Sequence, residues 1–314
     1  MSEILLPKVW RSAETGRYYK LSRERTFEAQ LIQPGDIADV EAVAILDEVL
    51  GLARPQYRLR GMCRPVRMDK LQMRVDVATA LTGQEKVPPL VEAEISAEAY
   101  SAVNFDLWKN VVHVAISDEA IKRAAHDILA LHVDDAAMEI SRMENKQIAE
   151  AAEAGITEKV SGVVYADWGA VTSGVSNTNP LDAVLASADY ILGKGYGMRG
   201  LFLALHPTLW RKFVLNTWIR ELVDSGVMRL GEGGFSLPSY PGFRVIVDPQ
   251  LTETPTGSVG PIVGSLYPPG ILFGEGPVEA AKYRDEKIGY TGYIIRQWLE
   301  PKVVLNDCLD IICT

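Results

Sequence analysis

Cysteine is scarce in this chain of 314 residues: Cys63, Cys308 and Cys313 are all there is. Three scattered thiols supply neither a disulfide framework nor a cysteine zinc site, and free thiols are the plain reading. Nowhere do 18 apolar residues follow one another, which excludes a membrane-spanning helix. The opening stretch, MSEILLPKVWRSAETGRYYK, has no apolar core of the kind a signal peptide needs. Histidine is nearly as scarce, with His113, His126, His132 and His206 only, and neither HExxH nor GxSxG occurs. There is no internal repeat and no low-complexity tract. No constellation of His, Cys and Ser marks a nucleophile with its base, and no cofactor motif is present, so nothing in the sequence points to an enzyme.

Two features imitate sites. His132, Asp135 and Glu139 share a helical face at ligand-like spacing, but a solvated helix face explains them as well. Gly193-Lys194-Gly195-Tyr196-Gly197 looks like a phosphate loop, yet it follows a helix instead of a strand and lacks Ser or Thr after the lysine. Phosphate loops need backbone N–H groups at a helix N-terminus, so a glycine-rich helix exit is the better reading.

What the chain does have is one long periodic stretch. Val111–Ile116 is β-branched enough for a strand. Ser117, Asp118 and Glu119 then supply an N-cap and first-turn acids. From there to Ala154 neither Gly nor Pro occurs. Apolar residues recur at Ile121, Ala125, Ile128, Ala136, Ile140, Met143, Ile148 and Ala151, which predicts a one-sided helix over 117–154. At about 1.5 Å per residue it would be roughly 55 Å long, several times the usual helix.

Around that rod the chain reads as follows. Residues 1–35 form an arm without clean periodicity, carrying aromatic and basic residues. A short helix is expected within 36–54, near Ile37–Leu52. Tyr57–Val114 is strand-like and reads as a long projecting hairpin, with strands at Gln72–Thr82, Leu90–Ile95 and Tyr100–Leu107 around a polar tip at Thr82–Lys86. A short strand is expected at Val160–Val164 and a linker at Ser173–Asn179. A compact α/β unit follows, with helices at Pro180–Leu192 and Thr208–Val223 and buried strands at Leu201–Leu205 and Phe243–Val247. Strands at Ile271–Phe273, Val278–Tyr283, Gly292–Leu299, Lys302–Leu305 and Cys308–Cys313 close the chain.

Net charge is −9, unevenly placed. Met1–Arg74 holds thirteen basic against ten acidic residues, so the remainder carries −12. Seven of the basic residues fall close together: Arg54, Arg58, Arg60, Arg64, Arg67, Lys70 and Arg74. Such a cluster either faces nucleic acid or pairs with acids elsewhere in the fold or on another subunit.

The order of these parts resembles the major capsid proteins of tailed viruses. Residues that carry the likeness are Phe105-Asp106-Leu107 leading through Val112–Ile116 into Ser117-Asp118-Glu119, and Met143-Glu144-Asn145-Lys146 late in the helix. Asn179-Pro180-Leu181, Leu205-His206-Pro207, Gly242–Val247 with Asp248-Pro249, and Arg296 also fit. The resemblance implies an α+β chain of the Hong Kong 97 phage-type capsid fold, which encapsulin shells share. It implies an N-terminal arm (1–35), an extended E-loop (55–107), and a peripheral (P) domain (108–178 and 262–314) with the spine helix. It places an axial (A) domain at 179–261. The implied function is a major capsid protein that self-assembles into an icosahedral shell around double-stranded DNA; the alternative is an encapsulin-like compartment around a cargo enzyme. Implied partners are copies of itself, packaged DNA, and separate scaffolding, portal or decoration proteins, with no cofactor and no membrane. The implied location is the virion capsid, assembled in the host cytoplasm.

Overall fold

The computed structural model describes residues 9–11, 18–20, 45–78, 100–117, 119, 128–169, 178–231, 233–238, 240–285 and 289–314. They divide into two compact units. The larger takes 53–110, 138–278 and 297–314; the smaller takes 1–52, 111–137 and 279–296.

The larger unit is built on a seven-stranded sheet. Its strands are β7 (Lys159–Val160), β8 (Leu201–Leu205), β9 (Arg229–Gly231), β10 (Gly234–Ser236), β11 (Phe243–Val247), β12 (Ile262–Ser265) and β15 (Leu309–Ile312), in the order β7-β15-β12-β8-β11-β10-β9. β8 lies between a parallel neighbour, β11, and an antiparallel one, β12. All five of its residues are buried, because both faces of the sheet are covered. Leu201, Leu203 and Leu205 enter one core with Leu181, Val184, Ile191 and Phe213. Phe202 and Ala204 enter the other with Ile148, Ala152, Phe273 and Leu309. The strand's two-residue period thus separates two hydrophobic layers.

Helices α2 (Pro180–Gly193), α3 (Pro207–Leu215) and α4 (Thr217–Asp224) cover the first layer. Asn179 caps α2, its side chain accepting from Leu181 N at 3.0 Å, with Pro180 at the first helical position. The sequence predicts a single helix over Thr208–Val223, but Asn216 splits it. Its backbone is extended and its side-chain oxygen accepts from Trp218 N and Ile219 N at 3.0 and 3.3 Å. A polar cap in mid-run outcompeted the apolar periodicity.

α1 (Ile128–Gly155) is the long helix, 28 residues as described. Ser117, the expected N-cap, ends strand β6 (Trp108–Ser117) and residue 119 is helical; 118 and 120–127 lie outside the described residues. The buried face of α1 differs from the predicted stripe. Ile140 and Ile148 are buried as expected, but so are Ser141, Glu144 and Asn145, while Met143 and Ala151 are half-exposed.

A second sheet has the order β3-β13-β14-β6, with β3 at Cys63–Arg67, β13 at Ile271–Asp285 and β14 at Tyr290–Val303. The sequence predicts four short strands where β13 and β14 run unbroken. Gly274 and Gly276 do not end β13; they let side chains pass close, since a Cβ on Gly276 would lie 2.8 Å from Leu107 Cδ1 and 3.0 Å from Trp298 Cβ. Pro277 comes after the β3 ladder has ended at Glu275, where a missing N–H costs no bond to that neighbour. The expected strand at Val160–Val164 is shorter, confined to β7, and is followed by a 3₁₀ turn at Tyr165–Gly169.

The hairpin is present as β4 (Gln72–Ala78) and β5 (Tyr100–Asp106), in register from Gln72 opposite Asp106 to Ala78 opposite Tyr100. The predicted Leu90–Ile95 strand and Thr82–Lys86 tip lie outside the described residues. So does most of the arm, where β1 (Val9–Arg11) and β2 (Tyr18–Lys20) pair. Residues 45–53 are helical, within the expected short helix.

Candidate functional site

The β4–β5 hairpin and the chain that leads into it are held by side chains from several elements of the larger unit. Where a polar group is taken out of water it must find a partner, and α1 supplies several along one face. Ser141 Oγ stands within reach of two acceptors, Met138 O at 2.8 Å and Gln56 Oε1 at 3.1 Å, which share its single proton. Asn145 Nδ2 donates to Gln56 O at 2.9 Å and to Asp248 Oδ2 at 3.1 Å, and its Oδ1 accepts from Leu59 N at 3.3 Å. One amide thus joins the chain that leads into the hairpin, the helix, and the end of β11.

Beside it, Glu144 is fully buried. Arg60 holds it through two nitrogens: Nε donates to Oε1, and Nη2 donates to Oε2 at 2.8 Å. Gln297 Nε2 on β14 donates to Oε2 at 2.9 Å. The same guanidinium reaches Glu275 Oε1 on β13 at 3.3 Å, and lies 4.3 Å from the Tyr57 ring centre and 5.2 Å from that of Phe273. Burial pushes the Glu144 carboxyl up from its ordinary range, while Arg60 and Gln297 pull it back. Burial first, and the Glu144 charge second, push the Tyr57 hydroxyl up to about 12. A fork of five fixed donors between two carboxylates and two rings suits Arg and not Lys.

The far side of the root is apolar. Phe105, Met68 and Leu107 form a small buried cluster with Val75, Leu272 and Trp298 packed on it. Lys302 Nζ donates to Asn104 O at 2.5 Å and sits over the Phe105 ring, and Asp106 N donates to Glu300. Residues 56–60, which lead toward the hairpin, are therefore bonded to α1, and the hairpin's own base is bonded to β13 through Met68 N and Glu275 O and to β14 through Glu300 and Lys302. Around it Leu71, Met73 and Trp108 are 52%, 42% and 69% exposed. A bare tryptophan beside a rigid root is the kind of anchor found at protein interfaces.

The seven-residue basic cluster is not one patch. Arg60 is spent on Glu144 and Glu275, Arg74 pairs with Asp76 at 2.9 Å, and Arg58 Nη1 donates to Val247 O at 3.2 Å. Arg54, Arg64, Arg67 and Lys70 are exposed, and among the described residues none makes a hydrogen bond or ion pair through its side chain. Sequence reasoning missed Glu144 and Gln297. The available signal was a carboxylate standing four residues from both Ile140 and Ile148, on the apolar stripe itself.

The two imitations resolve plainly. Glu139 pairs with Arg142, and among the described residues no three His, Cys, Asp or Glu come together around a metal-sized space. Lys194 N and Gly195 N cap α2 on Tyr190 O and Leu192 O, so the glycine loop is a helix exit. Among the described residues no helix is long and apolar enough to cross a membrane.

A phage capsid protein family matches residues 114–307. No curated protein is similar in sequence. The capsid of Cyanophage P-SCSP1u superposes with a TM-score of 0.58 at 13% identity, covering 80% of this chain and 86% of that one. The virus-like particle from Pyrococcus furiosus does so with a TM-score of 0.55 at 10% identity, covering 86% and 98%. The mature capsid of bacteriophage PhiM1 does so with a TM-score of 0.56 at 9% identity, covering 81% and 86%.

Proposed function

The chain belongs to the phage capsid protein family and is a major capsid protein of the Hong Kong 97 type, and we propose that its copies close into an icosahedral shell around double-stranded DNA. The observation that carries this reading is the anchored hairpin. The chain leading into it is tied down by the Arg60–Glu144–Gln297 network and its base packs in the Phe105 cluster, while Leu71, Met73 and Trp108 stay bare. Such an arm is costly to a monomer and useful to a tiling subunit, which buries it on a neighbour.

In this reading residues 1–35 are the arm, 36–54 a short helix and 55–107 the E-loop. Residues 108–178 with 262–314 are the peripheral domain, and 179–261 the axial domain. The chain works by association and catalyses no reaction. It assembles in the host cytoplasm with a separate scaffolding protein, and portal or decoration proteins join the shell. Arg54, Arg64, Arg67 and Lys70 are what remains of the basic cluster for phosphates or for a neighbouring copy.

Particles purified from infected or expressing cells test the contents. Nuclease-resistant double-stranded DNA inside them is expected. Particles that hold a cargo enzyme and no DNA would establish the encapsulin-like alternative instead.

A further inference from the structure

Away from the hairpin's base, two adjoining clefts of the larger unit are lined by arginine. One, of about 730 Å³, has Arg64, Arg199 and Arg244 on its walls. The other, of about 480 Å³, shares Arg199 and Arg244 with it and adds Arg229. All four arginines are exposed, and among the described residues none is hydrogen-bonded or ion-paired through its side chain. Among the described residues no Asp, Glu or Lys lines either cleft. Asp76 lines a further hollow with Arg64, but it is paired with Arg74 at 2.9 Å. Like charges gathered in a recess repel one another, and a cleft lined by one sign of charge concentrates counter-ions of the other. The chain as a whole carries −9, so this gathering of cations runs against its general balance.

The walls permit close approach. The Arg244 guanidinium lies flat over Gly61, where a Cβ would stand 3.2 Å from Nη2, 3.3 Å from Cζ and 3.4 Å from Nη1. A side chain at position 61 would push that planar group aside. In the second cleft Gly200, Gly231, Gly233, Gly234 and Gly242 supply much of the lining, so the backbone there is bare of side chains. Gly200 and Gly233 hold φ of +138° and +83°, where a side chain is strained. Arginine forks together with bare backbone suit a compact, densely charged anion. Tyr267 lines the first cleft and is 63% exposed, which leaves its ring open to a planar partner.

Size and charge density identify the class of anion. Recesses of these volumes match a small molecule, whereas a nucleic-acid duplex is a stiff rod that lies along a surface. On an extended peptide, carboxylates that share one face stand two residues, or roughly 7 Å, apart. An oligophosphate carries its charges on directly linked groups, each with oxygens that accept a guanidinium fork through two bonds. Lysine, a point charge without that fork, is missing from both clefts among the described residues.

We propose that the joined clefts bind an oligophosphate, the chemistry that nucleoside triphosphates and inorganic polyphosphate share. Arg199 and Arg244, common to both clefts, hold the phosphate chain, Arg64 and Arg229 hold its two ends, and Tyr267 offers its ring to a base where there is one. The bound anion offsets the repulsion among the arginines and ties together three separate stretches: β3, the loop before β8, and β11. The site is complete within one unit of a single copy, so it does not rest on shell formation.

Calorimetric titration of the purified full-length chain with sodium tripolyphosphate and with ATP, at low salt and without divalent metal, tests it. One saturable site per chain is expected. Binding weakens at least tenfold in Arg199→Gln with Arg244→Gln, and changes less than twofold in Arg211→Gln, an exposed arginine outside both clefts. No saturable binding, or an equal loss in both variants, overturns the proposal. Hydrogen exchange on the unaltered chain keeps the test independent of variant folding. Tripolyphosphate slows exchange at residues 61–65, 195–200 and 242–245, and an absence of protection there overturns the proposal. Two outcomes support it and separate the sources: equal affinity for tripolyphosphate and ATP assigns the site to the phosphate chain alone, and ATP binding at least tenfold tighter, with the advantage lost in Tyr267→Ala, assigns it to a nucleotide. Citrate or a polyglutamate peptide that binds as tightly as tripolyphosphate makes the clefts a general anion surface and overturns the proposal. A DNA duplex that displaces tripolyphosphate at equal phosphate concentration makes them a nucleic-acid surface and overturns it too.

Discussion

Replacing Arg60 by Met is the sharpest perturbation of the hairpin root. It keeps the bulk of an unbranched stem and removes the guanidinium that lies over Tyr57 and Phe273 and faces Glu144, whose side chain is fully buried. Taking away one partner of a buried pair usually costs about 3–5 kcal/mol, because the other charge is left without compensation. Arg60 is itself 31% exposed, so water already shares the interaction and about 2–4 kcal/mol is the better expectation. Gln297 still donates one bond to the carboxylate. The loss depends on pH, and its sign follows from Glu144. Burial already raises its carboxyl pKa, and losing Arg60 raises it further. A carboxyl whose folded pKa exceeds its unfolded one favours folding while protonated and penalises it once ionised. The Arg60→Met chain is therefore weakest at neutral pH and recovers on acidification toward the ordinary carboxylate range, and Arg60→Met with Glu144→Gln recovers most of the loss at pH 7. Urea unfolding of unassembled subunits at several pH values measures both effects. A single variant within about 1 kcal/mol of the parent at pH 7, with no pH dependence of its own, would refute the buried-charge reasoning.

Three further outcomes follow from the same geometry. Burial pushes the Asp310 carboxyl up to about 6, so ionising it opposes folding as pH rises from about 4 through 6, and Asp310→Asn removes that slope, worth about 2–3 kcal/mol in unfolding titrations. Asn216→Ala loses the cap of α4 and the bond from its amide to Trp168 O at 3.0 Å, and lowers stability by about 1–2 kcal/mol in urea melts. Gly276→Ala drives a methyl into Leu107 and Trp298, costs about 1–3 kcal/mol, and loosens the hairpin root, which hydrogen exchange of the β4 and β5 amides reads as faster opening.

Much of the architecture was legible because it rests on local signals. The exact bounds of β8 and β11 follow from short apolar runs between punctuating residues, and Pro180 marks the start of α2. What misled was punctuation without its context. Gly274, Gly276 and Pro277 look like breaks, but tight packing and the end of the β3 ladder absorb them into one strand. Asn216 carries no such signal until its cap bonds are seen. The site was harder for the same reason. Arg60 and Glu144 are 84 positions apart, and only folding reveals that one member of the basic cluster is committed to a buried carboxylate.

The central claim is that this chain exists to bind copies of itself. Sedimentation velocity of the purified protein, followed by electron microscopy of the fast fraction, measures that directly. Closed, uniform shells far larger than the 34.5 kDa subunit are the expected result. A single slow species of about that mass at every concentration and salt condition, with a folded circular dichroism spectrum, would contradict it.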